Sequence, residues 1–119
     1  MNESMVTEQD VRNAYAALYD AMIVYNRAAK ELVDAKRKLE SERADAISRG
    51  MITGKNAEER EASARSVCAP RYTWLEEAET AERLARDTLD TAKLEVEMIR
   101  LLVRLISIAS GAASAELPQ

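Results

Sequence analysis

The sequence lacks several residue types on which common protein chemistry depends. Its 119 residues include no His and no Phe, one Cys, two Pro and three Gly. Without His, the commonest zinc ligand and the commonest general base are missing, and a single Cys cannot close an intrachain disulfide. These absences exclude disulfide scaffolds, ordinary zinc sites and His-dependent catalysis. We therefore expect a protein that is not an enzyme and that needs no metal and no cofactor.

The residues that are present favour packed helices. Apolar residues make up 47% of the chain, and because the aromatics are only one Trp and four Tyr, most of them are aliphatic. This composition argues against intrinsic disorder, and the length suits one domain. The first ten residues are polar, unlike a secretion signal. The most apolar stretch, 96–109, carries charges and is shorter than the ~20 residues of a membrane span. We expect a cytoplasmic domain that does not bind membranes.

Capping residues and apolar spacing predict a long first helix over about 7–49. Thr7 has the position of an N-cap, and Gly50 that of a left-handed C-cap. Between them, one row of apolar residues at spacings of three and four predicts the packing face: Val11, Tyr15, Leu18, Met22, Tyr25, Ala29, Leu32 and Leu39.

Two further helices are predicted after a loop over 50–55. A short helix over about 56–67 begins with a capping box formed by Asn56 and Glu59, and a long helix over about 71–110 follows. Pro70 is either a break or a first-turn residue of the long helix, and Thr73 to Glu76 has the spacing of a third capping box. We expect this helix to end near Gly111 and residues 112–119 to be a mobile tail.

These elements predict an all-α fold, a long antiparallel helical hairpin of coiled-coil type with a short elbow helix. One end of the hairpin is apolar on more faces than its single seam can cover, so we expect it to assemble into a multi-helix bundle as a homo-oligomer. A monomer with the elbow helix folded back is the competing interpretation. The predicted oligomer interface consists of Leu18, Met22, Tyr25, Met98, Leu101, Leu102, Leu105 and Ile108.

Charge is unevenly distributed along the chain. Residues 1–35 carry a net charge of −3 and residues 72–119 one of −4, whereas residues 36–71 carry +3. Such charges usually form a solvated helix surface with intrahelical pairs; the alternative is a site for an anion, a nucleotide or nucleic acid. The candidate ligand-binding residues are Arg49, Gly54, Lys55, Asn56, Arg60 and Arg71. A nucleotide-hydrolysing P-loop is excluded, because three rather than four residues separate Gly50 from Gly54 and Asn follows the Lys.

The elbow sequence also carries a resemblance. Gly50-x-Ile52-Thr53-Gly54-Lys55-Asn56-x-x-Glu59-Arg60, followed by an Arg-Tyr-x-x-Leu-x-x-Ala helix start and a Leu-rich final helix, resembles small all-helical accessory proteins of tailed phages and prophages, whose function is unassigned. The resemblance implies a phage accessory protein in the host cytoplasm. We expect the protein to act by binding a phage or host protein, for example a host defence factor that it would inhibit. The alternative is a phosphate-bearing ligand at the basic elbow, either a defence nucleotide or single-stranded nucleic acid.

Overall fold

The described part of the chain folds into three helices, as predicted. The computed structural model describes residues 5–116, and side chains as far as residue 111. Helix α1 spans Glu8–Ser48, α2 spans Ala57–Val67 and α3 spans Ala69–Glu116, and the described residues contain no strand. Helices α1 and α3 form the long helical hairpin, and α2 is its elbow helix. The predicted all-α fold is confirmed.

The chain divides into two compact units. The terminal unit comprises Met1–Ile23 and Asp87–Gln119, which contribute the first part of α1 and the last part of α3. The elbow unit comprises Val24–Arg86, which contributes the rest of α1, all of α2 and the beginning of α3.

Both ends of α1 are fixed by the predicted caps. The Thr7 hydroxyl accepts a hydrogen bond from the Asp10 amide at 3.0 Å, and the Asp10 carboxylate accepts one from the Thr7 amide at 2.9 Å. At the other end Gly50 has a φ of 72°, and its amide donates to the Ile47 carbonyl while the Met51 amide donates to the Ala46 carbonyl. This pair of bonds is a Schellman motif, which requires a residue in the left-handed region.

A single residue, Cys68, joins α2 to α3. Its amide donates to the Ala64 carbonyl and closes α2, and its own carbonyl accepts from the amides of Arg71 and Tyr72 in the first turn of α3. Pro70 lies in that first turn, where its missing N–H costs no helical hydrogen bond. Because α3 begins at Ala69, Thr73 lies inside the helix, and the predicted third capping box at Thr73 is wrong.

Helix α3 also continues farther than its sequence indicated. The predicted end near Gly111 is wrong, because the helix runs on to Glu116. A glycine inside a helix costs about 1 kcal/mol relative to alanine, and alanine is the strongest helix former. Ala109, Ala112, Ala113 and Ala115 surround Gly111, so the local sequence compensates for it. The predicted mobile tail overlaps this helix up to Glu116, and the rest of it, 117–119, lies outside the described residues.

In both units the buried side chains are mainly small. The buried residues of the terminal unit are Ala14, Ala21, Leu89, Ala92 and Val96. Those of the elbow unit are Ala35, Leu39, Ala46, Ala64, Cys68, Ala78, Glu82 and Ala85. Within the elbow unit, Ile52, Tyr72 and Leu75 pack against a cluster of Leu39, Ala46 and Cys68.

One part of the predicted packing face of α1 is wrong. The packed row passes through Ala14 and Ala21, and Tyr15 and Met22 are about half exposed. Alanine recurs along α1 at 14, 21, 28 and 35, one heptad apart, and on α3 at 78, 85 and 92. Small side chains at these positions allow two helix backbones to approach closely, and interhelical distance depends on the side chains at the contact. Tyr15 and Met22 are therefore left beside the seam.

Candidate interaction surface

A second row of apolar residues follows the outside of α3. Its members recur at spacings of four, three, four and three, and each is 57–64% exposed: Leu94, Met98, Leu101, Leu105 and Ile108. We call these five residues the outer stripe. At about 100° per residue, they lie on the opposite side of α3 from the buried positions Leu89, Ala92 and Val96. The helix therefore carries one covered and one uncovered apolar face.

The covered face itself comes to an end before α3 does. Val96 is buried and Ile99 is half-buried, but Val103 and Ile106, which continue the same row, are 44% and 37% exposed. Every residue from 101 to 111 is exposed. Near its end, α3 therefore exposes large apolar side chains, including Leu102, to solvent on both faces.

Charged residues border the outer stripe on one side. Glu97, Arg100 and Arg104 line a shallow hollow of about 260 Å³ together with Leu101. None of these three charged side chains belongs to an ion pair within the described part of the chain. The hollow therefore combines one apolar side chain with three charges that have no ion-pair partner among the residues whose side chains are described.

The structure separates the predicted interface residues into two groups. Those on α3, from Met98 to Ile108, are all exposed. On α1, Met22 is exposed, but Leu18 and Tyr25 are only half-buried and lie on the packed face of the helix. Tyr25 lies in the elbow unit, where the pKa of Arg86 is raised first by its hydrogen bond to Glu82 and then by the nearby Tyr25. Among the predicted interface residues, the exposed ones therefore lie mainly on α3.

The predicted anion-binding residues are only partly brought together. Gly54, Lys55, Asn56 and Arg60 meet at the start of α2, where the Asn56 side chain accepts from the Glu59 amide at 2.9 Å. The Glu59 carboxylate in turn accepts from the Lys55 amide at 2.7 Å. The predicted cap at Asn56 is confirmed, and Glu59 reaches back as predicted, but to the amide of Lys55 and not to that of Asn56, so the capping box is not reciprocal. The arrangement places a carboxylate of the protein itself at this helix N-terminus.

The other two candidate cations are held by carboxylates elsewhere in the elbow unit. Arg49 pairs with Asp45 at 3.3 Å, and Arg71 pairs with Glu42 at 2.8 Å. The Arg71 guanidinium also lies 5.6 Å from the centre of the Trp74 ring. Arg49 thus makes a local i,i+4 pair that is typical of a solvated helix surface, whereas Arg71 makes a pair that joins α3 to α1.

A network of polar contacts that the sequence did not reveal connects all three helices of the elbow unit. Arg43 donates to the Tyr72 hydroxyl at 2.7 Å and pairs with Glu61 at 3.2 Å. Arg65 pairs with the same carboxylate and lies 4.8 Å from the centre of the Tyr72 ring. Apart from the i,i+4 pair of Arg65 with Glu61, these contacts join different helices and leave no periodic signal in the sequence, so only the folded chain shows them. Together with the hydrogen bond from Trp74 to Glu31, they anchor the elbow aromatics in place.

Among residues 5–116 no group of His, Cys, Asp and Glu side chains is placed to hold a metal ion, and no helix is long and apolar enough to cross a membrane. Comparison with protein-family models, curated proteins and solved structures gives no significant match.

Proposed function

We propose that the protein is a non-enzymatic helical interaction protein that associates with itself, and with a protein partner, through the end of α3. The observation that carries this proposal is the run of exposed residues 101–111, in which six of the side chains are large and apolar: Leu101, Leu102, Val103, Leu105, Ile106 and Ile108.

The energetic argument follows from burial. Transfer of a Leu-sized side chain from water to a protein interior is worth about 1.5–3 kcal/mol. An apolar face of this extent on a folded chain usually marks an interaction site. An amphipathic helix with anchors at these spacings is suited to a groove or to another helix, which is the helix-in-groove mode of recognition.

The partner class follows only from the resemblance of the elbow to phage accessory proteins. On that basis the bound protein is a phage or host protein, and inhibition of a host defence factor is one way in which the binding would act. The self-association is accessible to a direct test and is the part of the proposal that we define further.

The test is the mass of the full-length chain in solution. Size-exclusion chromatography with light scattering should give a multiple of the 13.2 kDa chain mass. The double substitution Leu101→Gln and Leu105→Gln should reduce it to one chain. The control Ile47→Gln changes a side chain that is similarly exposed, at 60%, but lies in the elbow unit, and it should leave the mass unchanged. A wild-type mass of 13.2 kDa at micromolar concentration would refute self-association.

Binding of a phosphate-bearing ligand at the elbow is the alternative proposal. It has less support, because Arg49 and Arg71 already pair with carboxylates and Glu59 already occupies the start of α2. Lys55 and Arg60 remain as cations with no ion pair among the described residues. Titration with a nucleotide at low salt, compared between wild type and Lys55→Ala with Arg60→Ala, tests it. Binding that these substitutions abolish would support the alternative.

A further inference from the structure

The outer stripe has the pattern of a coiled-coil seam. Met98 and Leu105 are one heptad apart and take position a, and Leu94, Leu101 and Ile108 take position d. In this frame the g positions, which precede each a residue, are Glu97 and Arg104. The e positions, on the other flank, are Glu95, Leu102 and Ala109. One flank of the stripe is therefore charged with both signs, and the other is largely apolar.

We infer that the outer stripe binds the outer stripe of a second copy of this chain, in an antiparallel two-fold pair in which Glu97 of each copy faces Arg104 of the other. This inference rests on the proposed self-association and specifies its geometry. It is carried by the arrangement of charges beside the stripe, which differs between the possible pairings.

Orientation is decided by the two g residues. In a parallel pair, a g residue faces an e residue of the other helix, so Glu97 would face Leu102 and Arg104 would face Ala109, with no opposite charge for either. In an antiparallel pair the same flanks meet in reversed order. Glu97 then faces Arg104 of the second copy, and the two-fold axis repeats this pair. Only the antiparallel pairing satisfies both charges.

The same charges select the register. When Glu97 faces Arg104, Leu94 lies opposite Leu105 of the second copy and Met98 lies opposite its Leu101. The two-fold axis repeats each of these two layers with the copies exchanged, so the pair has four apolar layers. A shift by one heptad also gives four apolar layers, through Met98 with Ile108 and Leu101 with Leu105. However, the shifted register places Arg104 against Arg104, and like charges in contact are unfavourable. The charged flank therefore distinguishes two registers that the apolar residues alone do not.

The area available is at the lower limit for a specific pair of chains. A side chain whose burial is worth 1.5–3 kcal/mol at 25 cal/mol per Å² hides about 60–120 Å². The stripe and its e-flank residue Leu102 supply twelve such side chains in two copies, or on the order of 1,000 Å². This value approaches the 1,200–2,000 Å² of standard protein interfaces.

Charge reversal tests the geometry without removing apolar contacts. Either Glu97→Arg or Arg104→Glu alone replaces both cross-pairs with like charges, so each should weaken dimerisation at least about tenfold at low salt. The double variant E97R/R104E restores opposite charges and should dimerise within about threefold of wild type. An equimolar mixture of the two single variants should form heterodimers, because every pair in them is complementary.

Control variants carry the same change of charge elsewhere on α3. Glu77→Arg and Arg83→Glu are exposed positions in the elbow unit and should leave the dimer constant unchanged. Sedimentation equilibrium measures all the constants. Single variants that dimerise as tightly as these controls, or a wild-type assembly of more than two chains, would overturn the antiparallel pair. Self-association that still depends on Leu101 and Leu105 would in that case leave the proposed function standing.

Discussion

Alanine substitution of the three glycines tests the backbone conformation of the loop between α1 and α2. Gly50 and Gly54 lie in this loop, and Gly111, inside α3, serves as the control. Gly54 has a φ of 151°, and a Cβ added there would lie 2.6 Å from the Arg60 amide nitrogen and 2.7 Å from the Glu59 Cβ. Gly50 has a φ of 72° but open space around it, and Gly111 has open space and helical geometry. Alanine at position 54 therefore introduces both backbone strain and a steric clash, alanine at position 50 introduces backbone strain alone, and alanine at position 111 introduces neither.

The expected free-energy changes follow in the same order. Gly54→Ala enters a region of backbone space almost restricted to glycine, at roughly 1–3 kcal/mol. The colliding atoms belong to the backbone and the root of a side chain, so the first turn of α2 must shift and its cap, worth about 1 kcal/mol, is weakened. We expect a loss of about 3 kcal/mol or more. Gly50→Ala should cost about 1–2 kcal/mol, and Gly111→Ala should gain about 0.5–1 kcal/mol.

Thermal unfolding followed by far-ultraviolet circular dichroism measures these effects. At about 4 °C per kcal/mol for a chain of this size, Tm should fall by about 12 °C for Gly54→Ala and about 6 °C for Gly50→Ala, and rise by about 3 °C for Gly111→Ala. All variants must be compared at one protein concentration, because the proposed self-association would make Tm depend on it. A Gly54→Ala variant that melts above Gly50→Ala would refute this account of the loop.

Two further predictions concern the hairpin seam. Ala35→Leu should destabilise the protein by about 1–3 kcal/mol, because Ala35 has no exposed surface and the added atoms have no space. The control Ala44→Leu, on the exposed face of α1, should change the midpoint of urea unfolding little. Equal midpoints for the two variants would show that the seam is loosely packed. Glu82→Leu should keep or raise Tm, since an apolar residue is suited to this buried position and Arg86, freed of its ion pair, is largely exposed. A clear fall in Tm would instead mean that the Glu82 pair stabilises the elbow unit.

The helices and their ends were largely predictable from sequence because their signals are local. Thr7, Gly50 and Asn56 each act on backbone groups only a few residues away, and the structure shows all three caps in place. The end of α3 was missed, and its start was left open between two interpretations of Pro70, for a related reason. Each depends on a balance between one helix-breaking residue and its helix-forming neighbours, which a single position does not show.

The packing face was harder to predict because alanine contributes little to an apolar pattern. Tyr15 and Met22 have the larger apolar side chains, yet Ala14 and Ala21 are buried, because helix separation rather than hydrophobicity selects the residue at a close contact. The outer stripe was hidden in a similar way. Within a segment that is apolar on almost every face, sequence alone does not show which face a partner helix has already covered.

The position of Cys68 gives the protein a native reporter of its own motions. The thiol belongs to the only cysteine of the chain and is 2% exposed at the joint between α2 and α3. A thiol-specific reagent can reach it only when the elbow unit opens, so the labelling rate under native conditions measures the free energy of that opening. Because no residue need be changed, the labelling rate can be compared between protein concentrations at which the proposed self-association would and would not occur.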